Sequence, residues 1–216
     1  MILLLSPTVV QSLLLGGDRV ANTLFVLLLM VFFIDSVTKT DAAPGRTILA
    51  ALLLGLGLSS RGNFLFLVPL ALPQLVAGAG VRRAAWSLAV AAAGFVAVTA
   101  PFYFADPDGF TPTHQISKLA PAFPYARELV LVVAALLAIG LAVRSARLPG
   151  PGYRDFFAGS AIAQAFLFAS AIALFSLQVD DVQSTFVFIK EGYGVHFLFF
   201  GVLASALTLR PQQEPL

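Results

Sequence analysis

Between Ile48 and Ala79 the chain is almost wholly apolar, yet Ser59, Ser60, Arg61, Gly62 and Asn63 interrupt it near the middle. Unbroken, a run of about 30 residues would make a helix roughly 45 Å long, well beyond the hydrocarbon thickness of a membrane. The interruption divides it into two short spans and leaves an arginine, an asparagine and a helix-ending glycine at the bend. A cation deep in lipid is costly, so Arg61 has to face protein or water at or near a membrane surface.

The rest of the chain belongs to the same class. Hydrophobic residues make up 59% and charged residues 11%, and the mean hydropathy is +0.92. A soluble core of this composition would have too little polar surface to cover itself. The expectation is one all-α, polytopic transmembrane domain over residues 1–216, with about seven spans and a short N-terminal half-helix. The net charge of +2 does not argue for nucleic acid, because the basic residues are scattered over short loops and form no stripe with aromatics. The absence of cysteine excludes disulfides and thiolate metal sites. Arginine far outnumbers lysine among abundant Ala, Leu and Gly, a composition that hints at a prokaryotic source.

Met1 to Leu15 has no basic n-region and no small-residue cleavage site, so residues 1–17 read as a partial or re-entrant helix of the fold. Apolar runs then follow at Val20 to Ile34, Thr47 to Leu58, Phe64 to Ala79, Ala84 to Phe104, Leu129 to Val143, Phe156 to Leu177, and Val195 to Leu209. The loops between them alternate in charge. Lys39, Arg46, Arg82, Arg83, Arg144, Arg147, Arg154 and Arg210 fall on one face; Arg19, Arg61, Lys118, Arg127 and Lys190 fall on the other, among more numerous acids. The positive-inside rule puts the first face, and with it the tail 210–216, in the cytoplasm of a cell that holds this chain in its plasma membrane. Arg61 and the long loop 105–127 are then extracytoplasmic. That loop is rich in Pro and aromatics and reads as a packed lid or interfacial helix.

Four short motifs occur in order: a glycine turn with an acid at Gly16 to Asp18, the break at Gly55 to Asn63, the basic pair Arg82 and Arg83, and an A-P-F helix end at Ala100 to Phe102. In that order they resemble the membrane core of GT-C glycosyltransferases, in particular the polyprenyl-phosphate-mannose-dependent branch. The resemblance covers roughly the first half of the chain. The turn here is one residue shorter than the family's G-x-x-D. The family's catalytic carboxylate lies in a first extracytoplasmic loop that has no counterpart here, so the chain is expected to be a fragment or a degenerate copy.

The resemblance implies transfer of a hexose such as mannose from a polyprenyl-phosphate donor to a lipid or glycan acceptor at the outer face. Such chemistry needs a base for the acceptor hydroxyl and cations for the leaving phosphate. Arg61, with Asn63 beside it, is placed for the phosphate, since a guanidinium grips phosphate in a bidentate fork; the plainer reading of Arg61 is a snorkelling helix-end arginine. Asp18 is a candidate base, or a helix cap paired with Arg19 or Arg61. His196 sits just inside the last span and is either functional or hydrogen-bonded within the bundle. His114 and Lys118, four apart in the loop, are candidate substrate contacts. Asp106 and Asp108 could hold a divalent cation, but D-P-D-G is also a common turn and the turn is the favoured reading; no other cofactor is called for. Motifs for nucleophilic-elbow, zinc-protease or phosphate-loop chemistry are missing. The alternative class is a non-catalytic membrane protein that binds lipid or a partner, with a transporter as a third reading.

Overall fold

The computed structural model describes residues 19–39, 41–60, 62–106, 125–148, 150–176 and 195–208. All regular structure among them is helical: α1 (Arg19–Thr38), α2 (Pro44–Ser59), a 3₁₀ turn (Gly62–Phe66), α3 (Leu67–Ala105), α4 (Ala126–Ala146), α5 (Tyr153–Ser176) and α6 (Val195–Thr208). Three stretches, Val20–Thr38, Gly62–Ala105 and Glu128–Ala146, are long and apolar enough to cross a membrane.

Helix ends follow local chemistry. Pro44 opens α2, where a missing N–H costs nothing. At its other end the hydroxyls of Ser59 and Ser60 donate to the carbonyls of Leu56 and Gly57, at 2.6 and 2.7 Å, and so close off the last turn. The 3₁₀ turn then carries the chain straight into α3, so the interruption is a tight joint between two helices.

Inside α3, Gly80 has φ +77° and ψ 159°, a backbone conformation that side chains with a Cβ rarely adopt. It splits the element into 67–79 and 81–105, matching the gap between the apolar runs ending at Ala79 and starting at Ala84. The helices are longer than those runs at several ends. α1 continues past Ile34 to Thr38, and there Lys39 pairs with Asp35 at 2.7 Å, one turn apart. An apolar count stops at the first charge, whereas the backbone continues for as long as its carbonyls find donors.

Pairwise contacts set the direction of each segment. Thr47 Oγ1 and Arg83 Nη2 both donate to the Ser36 carbonyl, at 3.0 and 3.2 Å, which brings the end of α1, the start of α2 and the start of 81–105 to one level. Arg83 also reaches the Lys39 carbonyl at 3.0 Å. The amide of Gln74 donates to the Gly152 carbonyl, and a Cβ on Gly78 would touch Thr38, so 67–79 ends at that same level. At the other end, Asn63 meets Gln164 of α5. Segment 67–79 therefore runs from the break toward the end that holds Lys39, Arg46 and Arg83, and the chain turns back at Gly80.

Segment 81–105 then runs parallel to α2 along small residues: Ala84, Ser87, Ala91 and Gly94 on one side and Thr47, Ala50, Ala51 and Gly55 on the other are all buried. Close backbone approach over small residues is a standard means of joining helices in lipid, where burying larger apolar groups gains little. The larger core side chains, Met30, Phe33, Leu54, Phe64, Leu67, Leu75, Phe156 and Phe200, gather between α1, α2, 67–79, α5 and α6. Leu28, Val96, Phe104 and Leu136 stay exposed, as expected of faces turned to lipid.

Arg83 ties the turn-back to α1 by two charge-assisted bonds. Arg83→Gln is expected to lower unfolding stability by about 1.5 kcal/mol, the low end for bonds to charged groups, read as a fall in melting temperature in detergent. The neighbouring exposed Arg82, changed in the same way, should shift it far less.

Candidate functional site

The break lies at the end of segment 67–79 away from the basic residues Lys39, Arg46 and Arg83, level with the middle of α5. Ser59 and Ser60 spend their hydroxyls on the closing turn of α2. Asn63, half-buried in the 3₁₀ turn, sends its side-chain N–H₂ to Gln164 Oε1 at 3.1 Å, and the Gln164 N–H₂ donates back to the Asn63 carbonyl at 3.3 Å. Gln164 is fully buried in the middle of α5. It shares a face with Phe156, Phe157, Ser160 and Leu167, all buried, and the Ser160 hydroxyl is satisfied by the Phe156 carbonyl at 2.7 Å. The amide pair thus fixes the 3₁₀ turn against α5 by two bonds in apolar surroundings, where an unpaired amide would be expensive.

Of the residues that sequence reasoning singled out, Asn63 is the one whose side-chain contacts are placed. Arg61, Asp18, His114, Lys118 and Asp108 lie outside the described residues. His196 is in the first turn of α6, with its side chain outside the description. Asp106 follows the end of α3, exposed, and its backbone N–H donates to the Phe102 carbonyl at 3.1 Å, so it acts as a helix terminator there.

Gln164 was missed. Its signal was available: a lone amide amid FAGSAIAQAFLFAS, a polar group within an apolar span that needs a partner. What the sequence could not supply was the partner, 101 residues away.

The opposite end is a second polar cluster. Asp35 accepts from Lys39 Nζ at 2.7 Å and from the Tyr153 hydroxyl at 3.0 Å. Arg46 donates to the Ser36 hydroxyl at 3.2 Å while its guanidinium lies 5.3 Å from the centre of the Phe32 ring. Tyr153 precedes the apolar run that starts at Phe156; burial, and then the Asp35 carboxylate, push its phenol well above the ordinary tyrosine range, so it stays a donor at any working pH. Arg46 and Arg83 are spent on groups of α1, and the cluster acts as a clamp on α1, α2, α3 and α5. It also shows that the loops grouped by charge in the sequence do come together in space.

Comparison with family models, with curated proteins and with solved structures returned no match. The functional reading rests on this chain's own residues.

Proposed function

We propose that the chain is the membrane core of a GT-C-type enzyme that transfers a hexose such as mannose from a polyprenyl-phosphate donor to a lipid or glycan acceptor. In this reading all seven helical segments span the plasma membrane, the basic end and the carboxyl terminus face the cytoplasm, and the break faces outward. What supports it is the polar joint: a helix end closed by two serine hydroxyls and an amide held by a buried glutamine, with Arg61 between them in the sequence. Arg61 would compensate the leaving phosphate, and Asn63, positioned by Gln164, would orient it; a guanidinium holds phosphate by a bidentate fork. Asp18 and His196 are the bases proposed for the acceptor hydroxyl, with His114 and Lys118 as loop contacts. A divalent cation at Asp106 and Asp108 is not required by this scheme.

The engagement of Asn63 by Gln164 through two hydrogen bonds favours one competing reading, a non-catalytic membrane subunit in which the joint is only structural. Detergent-permeabilised membranes supplied with radiolabelled polyprenyl-phosphate mannose and an acceptor lipid separate the two. The enzyme reading expects transfer by the wild-type protein and a loss of about a hundredfold in Arg61→Ala, the usual cost of removing one charge-stabilising donor. Absence of transfer in the wild type, or equal transfer by Arg61→Ala, would reject it.

A further inference from the structure

Between segment 67–79 and α4 lies an open groove of about 520 Å³, lined only by apolar residues, among them Pro69, Pro73, Val76, Ile139, Val143 and Ala146. Both walls are apolar throughout, and α4 is long and apolar enough to cross a membrane, so the groove opens onto hydrocarbon. One end of it, at Ala146 and Pro151, reaches the loop that joins α4 to α5. That loop is basic. Arg147 caps α4 and is exposed. Arg154 is 56% exposed and lies 3.7 Å from Asp155, too far for a hydrogen bond. Arg144 and the buried Ser145 line a small hollow of about 90 Å³ on the other side of the α4 end. Asp155, the one acid in this loop, also takes the Gly152 N–H at 3.4 Å at the start of α5.

We propose that this groove is a binding site for an anionic glycerophospholipid, an acyl chain lying along Pro69 to Ala146 and the phosphate meeting Arg147 and Arg154. The chemistry fits at both ends. A carbon-lined groove in the bilayer takes a hydrocarbon chain without desolvating anything, and the guanidinium groups of Arg147 and Arg154, next in the chain to Ala146 and near Pro151 of the lining, would hold a phosphodiester by paired N–H donors. Basic pockets between membrane helices bind such headgroups, each arginine near the surface contributing a factor of about five in affinity. A zwitterionic lipid would fill the groove equally well but would gain little from the arginines. The site stands apart from the break and does not depend on sugar transfer.

The test is native mass spectrometry of the full chain released from nanodiscs holding equal phosphatidylglycerol and phosphatidylcholine of matched chains. The wild type is expected to retain phosphatidylglycerol by roughly tenfold over phosphatidylcholine. Arg147→Gln with Arg154→Gln should bring the two lipids to parity. Val143→Trp, which fills the groove from an exposed position of α4, should abolish retention of both; Val76→Trp from the facing wall replaces it if that variant fails to fold. Equal retention of the two lipids by the wild type, an undiminished preference in the double glutamine variant, or undiminished retention in a folded tryptophan variant would each overturn the proposal.

Discussion

Gly55→Ala is expected to lower the stability of the bundle by about 3 kcal/mol, at the upper end of what overpacking costs. A Cβ there would collide with the Ala91 carbonyl oxygen and stand 2.7 Å from the Phe95 nitrogen. Both are backbone atoms of a helix, so no side-chain rotation relieves the clash and α2 has to move away from 81–105. Separating them opens the whole small-residue seam from Thr47 to Gly94, because contacts in that seam depend on close approach. Thermal unfolding in detergent, or denaturation by sodium dodecyl sulfate, should show the loss. Gly140→Ala is the internal control: it also lies within a helix, but a Cβ meets nothing within 4 Å, and stability should hold or rise slightly. A Gly55→Ala variant as stable as Gly140→Ala would mean that the two helices do not touch in this register.

The second large effect is expected at Gln164. Gln164→Leu keeps the volume but strands the Asn63 amide and carbonyl in apolar surroundings, at about 2 kcal/mol for groups that lose their partner. Asn63→Leu in the same background removes one of the stranded groups, so the double variant should be less unstable than the sum of the two single ones. Interhelical hydrogen bonds in bilayers couple by about 0.6 kcal/mol on average. The cycle reads the side-chain bond from Asn63 Nδ2 to Gln164 Oε1, since Gln164 Nε2 donates to the Asn63 main-chain carbonyl, which Asn63→Leu retains, and a coupling of about that size is expected. Additive losses would show that the two amides are not partners.

The two variants also bear on the candidate site differently. Gly55 belongs to the motif that suggested a glycosyltransferase core, yet its structural role is complete without any substrate: it lets α2 and 81–105 meet backbone to backbone. A glycine little more than one turn before a polar helix end occurs for packing reasons alone, and this part of the motif therefore bears on the fold. Gln164, which no motif contains, is the residue that determines where Asn63 points. Loss of transfer in Gln164→Leu, with the protein still folded, would place the amide pair in the binding of the donor.

Much of the architecture could be read from residues in order. Polar and glycine-bearing interruptions punctuate the apolar runs, so the turn at Gly80 appeared as the gap between Ala79 and Ala84, and Ser59 with Ser60 as a stop; the start at Pro44 was not read. Charge alternation sorted the loops into two groups, and Lys39, Arg46 and Arg83 do converge at one end. These features are local, set by backbone sterics and by the cost of burying charge within a few residues of a helix end. Helix ends at Thr38, Ala146 and Tyr153 were less legible, because capping by polar residues extends a helix past its apolar stretch.

The sequence by itself thus determined the all-helical, apolar class, the order of the described helices and the gathering of Lys39, Arg46 and Arg83 at one end. Only the tertiary structure decided which segments touch: that Gly55 faces Ala91, that Gln164 answers Asn63 across 101 residues, that Arg83 holds Ser36, and that Pro69 to Ala146 leave a groove. The reason is physical. In a chain so uniformly apolar, nearly every helix face is equally content in lipid or in protein, so hydrophobic periodicity carries little information about partners. Specific pairing is left to a few small residues and amides, whose complementarity exists only once both helices are in place.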